Sequence, residues 1–148
     1  LGIDVPENKA KAFELYMKCA NLGSAKSQCE IGRFYANGTV VEKDKEKAIK
    51  WLTMSAEQGD VGGQRDLGHE YMWIDSPVHD DKKSFYWFNK AAEQGDSISQ
   101  SWVASCYEHG NGVEKNIEKA IYWYEQAAKD DNKYALKSAK RLRSGTHT

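Results

Sequence analysis

The stretch KAIKWLTMSAEQG, residues 47–59, decides the fold of this 148-residue chain. Its apolar residues recur at the spacing of an amphipathic helix, and its last residue is a glycine, which accepts the left-handed backbone that closes many helices. The stretches KSFYWFNKAAEQG, residues 83–95, and KAIYWYEQAAKDD, residues 119–131, follow the same pattern at steps of 36 residues. A period of this length indicates a helical repeat protein.

Further positions keep the step of 36 residues without insertion or deletion. The columns of like residues are Ala12, Ala48, Ser84 and Ala120; Leu15, Trp51, Trp87 and Trp123; Ala20, Ala56, Ala92 and Ala128; Gly23, Gly59, Gly95 and Asp131; Gln28, Gln64 and Gln100; and Tyr35, Tyr71 and Tyr107. The glycine column ends the first helix of each repeat, and the glutamine and tyrosine columns share one face of a second helix. The N-cap residue types that precede the helices are Asn8, Ser24, Asp44, Asp60, Asp80, Asp96 and Asn116.

These features predict an all-α fold, a right-handed α-solenoid or superhelix of about four helical hairpins. The predicted helix pairs span about 9–37, 45–73, 81–109 and 117–142 within one domain covering residues 1–148. A single hairpin of this size cannot bury its apolar face, so neighbouring hairpins must stack. A closed bundle is the alternative, but it has no reason to keep its loops at a constant spacing. Because Gly2 precedes Gly38 by one period, we expect the chain to be part of a longer array.

One position of the second helix is small in the first three repeats and large in the last. Gly32, Gly68 and Ala104 hold it, and we expect them to let the paired helix approach closely. Lys140 replaces the small residue in the last repeat, and Arg143 stands in the tyrosine column. We therefore predict that the last helix is a polar capping helix.

Composition excludes several classes of partner. The chain has 21 Lys plus Arg against 22 Asp plus Glu, a formal charge of −1, so it lacks the positive field of a nucleic-acid binder or a polybasic lipid anchor. It also lacks an apolar run of about 18 residues, so no membrane insertion is expected. The three cysteines, an odd number without metal-site spacing, indicate neither a disulfide framework nor a zinc site.

No catalytic constellation is visible in the sequence. Neither His69 nor His109 has a histidine or carboxylate four residues later to complete a helical ligand pair, and no phosphate-binding loop or nucleophile elbow is present. The densest cluster of polar ligand types is a single loop that holds Asp75, His79, Asp80 and Asp81, of which Asp80 is already explained as a helix cap. We therefore predict that the chain is not an enzyme and has neither a cofactor nor a metal site.

Three stretches resemble a known repeat family: KAIKW at residues 47–51, AAEQGD at 91–96 and GNGV at 110–113. They are similar to the Sel1-like repeat (SLR), a longer relative of the tetratricopeptide repeat, and the resemblance extends over nearly the whole chain. It implies an α-solenoid whose first helices line the concave wall. It also implies adaptor and scaffold roles in protein complexes, without assigning a site.

The resemblance includes cysteine-rich secreted bacterial proteins, whose cysteine pair would fall at Ala20 and Gln28. This chain has Cys19 and Cys29 instead, each one residue away. Because Cys19 aligns with Ser55, Ala91 and Ala127, we expect it to be a small core residue. The hydrolytic activity ascribed to those relatives is therefore not carried over to this chain.

Positions that vary between repeats are the candidates for binding, since the stacking core does not fix them. On the first helices these columns are Glu14, Lys50, Tyr86 and Tyr122; Met17, Thr53, Asn89 and Glu125; and Lys18, Met54, Lys90 and Gln126. If the first helices line the concave wall, as the resemblance implies, these columns face a groove. The predicted partner-binding residues of the groove are Lys50, Met54, Tyr86, Asn89, Lys90, Tyr122 and Gln126.

Two aromatic positions refine this prediction. Of the four successive aromatics at 85–88, only Tyr86 matches no apolar column. With Tyr122 it offers rigid amphipathic contact area beside Lys50 and Lys90, suited to an acidic or C-terminal carboxylate group of a peptide. The alternative is that both tyrosines only cover their own helices.

Outside the groove, Trp102 is the eighth candidate binding residue. It occupies a column that holds Glu30 and Asp66 elsewhere, and it is either an exposed anchor on the outer face or a side chain packed under a neighbour. The loop from Met72 to Asp81 must leave the regular path, because Ile74 replaces a glycine there and a β-branched residue resists positive φ.

The leading hypothesis is a non-catalytic scaffold or adaptor that binds a peptide or protein segment in the concave groove. The alternative is an inhibitor or immunity protein that blocks a partner enzyme or toxin with the same surface. A hydrolase like the cysteine-rich relatives is the third and least favoured possibility.

Overall fold

The computed structural model describes residues 5–145, with side chains from Asn8 onward, so Gly2 lies outside the described residues. The helices are α1 (Val5–Asn21), α2 (Ala25–Asn37), α3 (Lys45–Glu57), α4 (Val61–Met72), α5 (Asp81–Glu93), α6 (Ser97–His109), α7 (Ile117–Ala128) and α8 (Lys133–Arg143). No strand occurs in the described part of the chain. The prediction of an all-α fold built from four helical hairpins is confirmed.

The chain divides between His79 and Asp80 into two compact units. Unit 1 contains the hairpins α1–α2 and α3–α4, and unit 2 contains α5–α6 and α7–α8. We use "first helix" for α1, α3, α5 and α7, and "second helix" for their partners.

Caps define most helix ends as predicted, but the prediction for Asn8 is wrong, because α1 already begins at Val5. In each of the other predicted caps, a side-chain oxygen accepts a hydrogen bond from the backbone N–H three residues later, as Asp44 does from Lys47 at 3.0 Å. Each such bond is worth about 1 kcal/mol. Gly23, Gly59 and Gly95 take φ values of 98°, 91° and 95°, and Asp131, the fourth member of their column, takes 59°. Aspartate is one of the few non-glycine residues that tolerates this conformation.

The glutamine column links the two helices of a hairpin by a hydrogen bond. Gln28, Gln64 and Gln100 are buried, and each donates from Nε2 to a carbonyl oxygen near the end of its own first helix at 3.2 Å. A buried amide must find such partners, because an unpaired one costs roughly 1–3 kcal/mol. The repeated glutamine is thus a structural residue that ties the second helix of a hairpin to the first.

The deepest residues of the first helices lie one position after the tryptophan column. Leu52, Phe88 and Tyr124 have 1%, 1% and 0% of their surface exposed, whereas the three tryptophans are half-buried. One residue on a helix turns the side chain by about 100°, which separates the centre of the buried stripe from its edge. The tryptophans therefore lie at the edge of the buried stripe and not at its centre.

Within unit 1, the two consecutive repeats meet through the small-residue column. A Cβ atom on Gly32 of α2 would lie 2.6 Å from Cγ of Leu52 in α3. The helix that approaches Gly32 so closely is therefore the first helix of the next repeat, and not the paired first helix that we expected. Beside this contact, Lys47 Nζ of α3 lies 5.4 Å from the ring centroid of Tyr35, and Gln58 Nε2 donates to Gln28 Oε1 at 2.7 Å.

A buried polar network fastens α8 in unit 2. Tyr124 donates from its hydroxyl to Glu108 Oε2 at 2.9 Å, and Arg141 Nη2 donates to Glu108 Oε1 at 2.5 Å. Burial by itself raises the pKa of Glu108, but the hydrogen bonds from Arg141 and Tyr124 outweigh it and lower the pKa below the usual value. The carboxylate is thus held ionised where α6, α7 and α8 meet.

We expect Phe88→Ala to lower the free energy of unfolding by about 3–5 kcal/mol, as other large-to-small core changes do. Trp87→Ala should cost less, although tryptophan is larger, because part of its indole remains in contact with water. Urea denaturation followed by far-ultraviolet circular dichroism measures both. An equal or larger cost for Trp87→Ala would contradict the assignment of the core column.

Glu108→Gln should lower the free energy of unfolding by about 1–3 kcal/mol at pH 7, because Arg141 loses its charged partner. Since the folded state lowers the pKa of Glu108, the stabilisation is fully present above the unfolded value of about 4.3 and is lost as the pH falls through the lower folded value. Urea denaturation at pH 7, 5 and 3 should show the cost shrinking with acid. Glu57→Gln on the exposed side of α3 is the control, and a cost independent of pH would contradict this account.

Candidate partner-binding surface

The candidate residues of unit 1 lie one turn apart on α3. Lys50 is exposed, and 39% of the Met54 side chain is exposed. Their i, i+4 spacing places the ammonium group and the thioether on one side of the helix. Both are accessible to a partner in the structure of this unit.

On α5 the exposed Tyr86 is held in place by two neighbours. Its ring is 51% exposed, meets the Trp87 ring edge-on with centroids 4.9 Å apart, and has Lys90 Nζ 5.5 Å from its centroid. The cation–π contact is worth roughly 0.5–1 kcal/mol at an exposed site. Asn89 is half-buried and donates from Nδ2 to Glu93 Oε1 at 3.1 Å. The ring and the lysine charge therefore form one preoriented patch.

On α7 the contact between tyrosine and tryptophan recurs one repeat later, with Gln126 at the position of Lys90. Tyr122 is 54% exposed and meets Trp123 edge-on with ring centroids 5.3 Å apart. Gln126, one turn later, is half-buried, and its Oε1 accepts from Lys129 Nζ at 2.9 Å. Unit 2 thus presents two equivalent tyrosines, each braced by the tryptophan that follows it.

Trp102 packs against a core residue. Its ring stacks on Phe88 with centroids 5.8 Å apart and an interplanar angle of 22°, and the residue is half-buried. What remains of its surface lines a cavity of about 250 Å³ between α6 and the start of α8. The lining residues are Ile98, Ser101, Trp102, Ser105, Asn132 and Tyr134. Of these residues, the sequence analysis identified only Trp102 as a candidate. A signal for two others was present: Ile98 and Tyr134 are apolar members of a column that holds Lys26 and Gly62 in the first two repeats.

The loop after α4 departs from the regular path, as predicted. Trp73 ends α4 with an extended backbone at φ −76° and ψ 116°, whereas Gly38 and Gly110 close α2 and α6 in the left-handed conformation. Trp73 and Ile74 are both exposed.

The described residues offer little reactive chemistry. Between residues 5 and 145, no three or more His, Cys, Asp or Glu side chains are grouped so as to hold a metal ion. Burial raises the pKa of both Cys29 and Cys106 to about 12, so these thiols stay protonated and weakly nucleophilic at neutral pH. Among the helices of the described segment, none has the length and apolar composition required to traverse a bilayer.

The expectation that Cys19 is a core residue is wrong. Cys19 is an exposed free thiol, while its equivalents Ser55, Ala91 and Ala127 are fully buried. The column is therefore buried in α3, α5 and α7 and open in α1. Cys29 is buried, and the structure shows it as a free thiol that does not pair with Cys19.

Comparison with known protein families identifies the same repeat that the sequence analysis describes. The model of the Sel1 repeat family matches residues 1–24, 25–60, 63–96 and 97–132. No curated protein sequence matches the chain.

Three solved structures share the fold. A protective antigen present in uropathogenic Escherichia coli strains, described as displaying an SLR fold, is 31% identical over 85% of this chain and 27% of its own, with a TM-score of 0.79. A Sel1 repeat protein from Oxalobacter formigenes is 30% identical over 88% of this chain and 53% of its own, with a TM-score of 0.78. The chain thus spans about a quarter and about half of these two proteins.

Helicobacter pylori cysteine rich protein B is 24% identical over 92% of this chain and 98% of its own, with a TM-score of 0.65, and at that identity it shows the fold alone. Together with the four repeats matched in the sequence, these structures confirm the predicted α-solenoid class.

Proposed function

The chain belongs to the Sel1 repeat family, and we propose that it is a non-catalytic scaffold that binds a protein or peptide segment through the exposed residues of its first helices. Sel1 repeat proteins are generally protein-interaction scaffolds. The observation that supports the proposal most is the pair of exposed tyrosines in unit 2, each braced against a tryptophan. An exposed aromatic ring contributes little to the packing of the core, whereas protein interfaces are enriched in tyrosine.

The two tyrosines are suited to binding for a physical reason. A tyrosine offers a large contact area with only two side-chain torsions to restrict, so little conformational entropy is lost when a partner covers it. The edge-on contacts with Trp87 and Trp123 restrict the rings further before any partner arrives. The side chains therefore lose less conformational entropy on binding, because the fold already restricts them.

The charge of the patch favours an acidic ligand. Lys90 lies over the Tyr86 ring and keeps its ammonium group exposed, so a carboxylate can approach it while an apolar group covers the ring. The expected ligand is an extended peptide with an acidic side chain or a free C-terminal carboxylate. Lys50 and Met54 offer a contact region of the same kind in unit 1.

The absence of a catalytic role is part of the proposal. It is supported by the high pKa of the Cys29 and Cys106 thiols and by the lack of a metal-binding group within the described residues. A partner enzyme blocked by the same surface would still make this chain a binding protein.

Binding should depend on the tyrosine patches. A partner is first captured from the native host on the immobilised chain and identified, and its affinity for purified chain is then measured by calorimetry. The triple variant Tyr86→Ala, Lys90→Ala, Tyr122→Ala should weaken binding by about a hundredfold or more, because interface aromatics carry much of the binding energy.

Trp73→Ala is the matched control, since it removes an exposed aromatic that lies off the first helices. It should change the dissociation constant less than twofold. If the triple variant binds as tightly as the unmodified chain while circular dichroism shows it folded, the proposed surface is wrong.

A further inference from the structure

The cavity beside Trp102 lies on the second helices, whereas the tyrosine patches lie on the first helices. Its walls come from α6 and from the start of α8, both within unit 2, and its volume is about 250 Å³. Two of the lining side chains are largely in contact with water, since Ile98 is 49% exposed and Tyr134 is 60% exposed. The cavity is therefore open on one side, and a small group can enter it without a movement of the helices.

The six lining residues carry no charge, although their equivalents in unit 1 are mostly charged. In unit 1 the positions of Ile98, Trp102, Ser105 and Asn132 are held by Lys26, Glu30, Arg33 and Asp60. A charged group that enters a cavity without an opposite charge loses hydration and gains no partner in return. The lining residues therefore favour an uncharged occupant.

The cavity is open because Ser105 stands where unit 1 has Arg33. A Cβ atom on Gly62, the equivalent of Tyr134, would lie 3.4 Å from Nη2 of Arg33 and 3.7 Å from Sγ of Cys29. The guanidinium group thus occupies the corresponding space in unit 1. A serine side chain is too short to reach it, so unit 1 shows the filled form of the site and unit 2 shows the open form.

Aromatic rings form two walls of the cavity, and both are held by neighbours. The Trp102 ring stacks on Phe88, which is 1% exposed, so this wall is supported by the core. The Tyr134 ring meets Tyr124 edge-on with centroids 6.1 Å apart. Aromatic rings favour offset-stacked or edge-to-face contacts with one another, beyond the effect of the buried area. An aromatic occupant therefore gains more in this cavity than an aliphatic group of the same size.

The polar atoms of the cavity already have partners. Asn132 Nδ2 donates to Ser101 Oγ at 2.8 Å, and Asn132 Oδ1 accepts from the backbone N–H of Ala135 at 3.0 Å. Ser105 Oγ lies 3.4 Å from His109 Nδ1. An apolar ring that covers these groups leaves their hydrogen bonds in place, so it does not create an unpaired buried polar atom.

The size of the cavity indicates how the ring is carried. A cavity of roughly 150 Å³ can hold a benzene ring, whereas sites for drug-sized molecules have about 300–1,000 Å³ and bury most of the ligand surface. At about 250 Å³ and with one open side, this cavity accepts one aromatic ring system without enclosing it. A ring on a polypeptide gains the remaining affinity from the residues around it, which a free molecule cannot do.

We propose that the cavity between α6 and the start of α8 is a pocket for one uncharged aromatic side chain, Phe, Tyr or Trp, of a partner polypeptide. The pocket is made by the second helices and is separate from the tyrosine patches of the proposed function. Its test uses neither those patches nor an identified partner, so either proposal can fail without the other.

The test titrates capped amino acids into the full, isotope-labelled chain and follows its N–H groups by nuclear magnetic resonance. The probes are N-acetyl-tryptophanamide and N-acetyl-phenylalaninamide, with N-acetyl-leucinamide as the aliphatic control. The indole N–H of Trp102 and the backbone N–H groups of Ser101 and Ser105 should shift and reach saturation. The aromatic probes should bind at least about fivefold more tightly than the leucine probe, because only they can pack against the rings of the walls.

Two variants place the groups of unit 1 in the pocket. Ser105→Arg should weaken binding of the tryptophan probe at least about tenfold, because the arginine fills the cavity, whereas the matched control Ser105→Ala keeps it open and should change the affinity less than about twofold. Ile98→Lys introduces a charge at an exposed position and should weaken binding at least about threefold. Circular dichroism checks that each variant is folded, and Ile98→Lys provides the test if Ser105→Arg is not.

Three results would overturn the proposal. One is the absence of saturable shifts at these N–H groups with millimolar aromatic probe, and another is equal affinity for the leucine probe. The third is an affinity that neither folded variant reduces. Free indole that binds more than about tenfold tighter than the capped tryptophan would also contradict it, because the pocket would then suit a free molecule and not a side chain.

Discussion

The close contact between a small residue of one second helix and a bulky residue of the next first helix is the constraint on which the rest of the structure depends. Gly32 and Leu52 show it most directly, because even a methyl group on Gly32 would overlap the leucine side chain. Packing at this density fixes both the distance between neighbouring helices and their register. A constant step of 36 residues follows, since a repeat of another length would present a different residue to the small position.

This constraint also separates structural from recognition residues. The bulky column, the glutamines and the caps are used for packing or buried hydrogen bonding, so they do not differ in kind between repeats. The neighbouring columns on the first helices are exposed or half-buried, and one of them varies from glutamate to lysine to tyrosine. In unit 2 these variable positions hold the two exposed tyrosines. The second helices have a variable column as well, in which Trp102 lines a cavity while Asp66 of unit 1 forms an ion pair with Arg33.

Periodicity predicted the fold class, the caps and the left-handed glycines, because each depends on local sequence alone. It did not distinguish the deeply buried Phe88 from the half-buried Trp87, because a broad apolar stripe does not reveal which of its columns is deepest. It misjudged Cys19 for another reason: burial of that column requires a neighbouring second helix, and a column alignment cannot show whether one is there. The cavity beside Trp102 could not be predicted from the repeat columns, because it depends on how α6 packs against the start of α8.

The most direct test of the central claim is a double-mutant cycle between Gly32 and Leu52, with the free energy of unfolding measured by urea denaturation. Gly32→Leu alone should cost about 1–3 kcal/mol through overpacking, and Leu52→Ala alone about 2–5 kcal/mol through the cavity it leaves. If the two residues define the contact between repeats, the added leucine fills the space left by Leu52→Ala, and the double variant should be more stable than the sum of the single changes by at least about 1 kcal/mol. Strict additivity of the two changes would contradict the account.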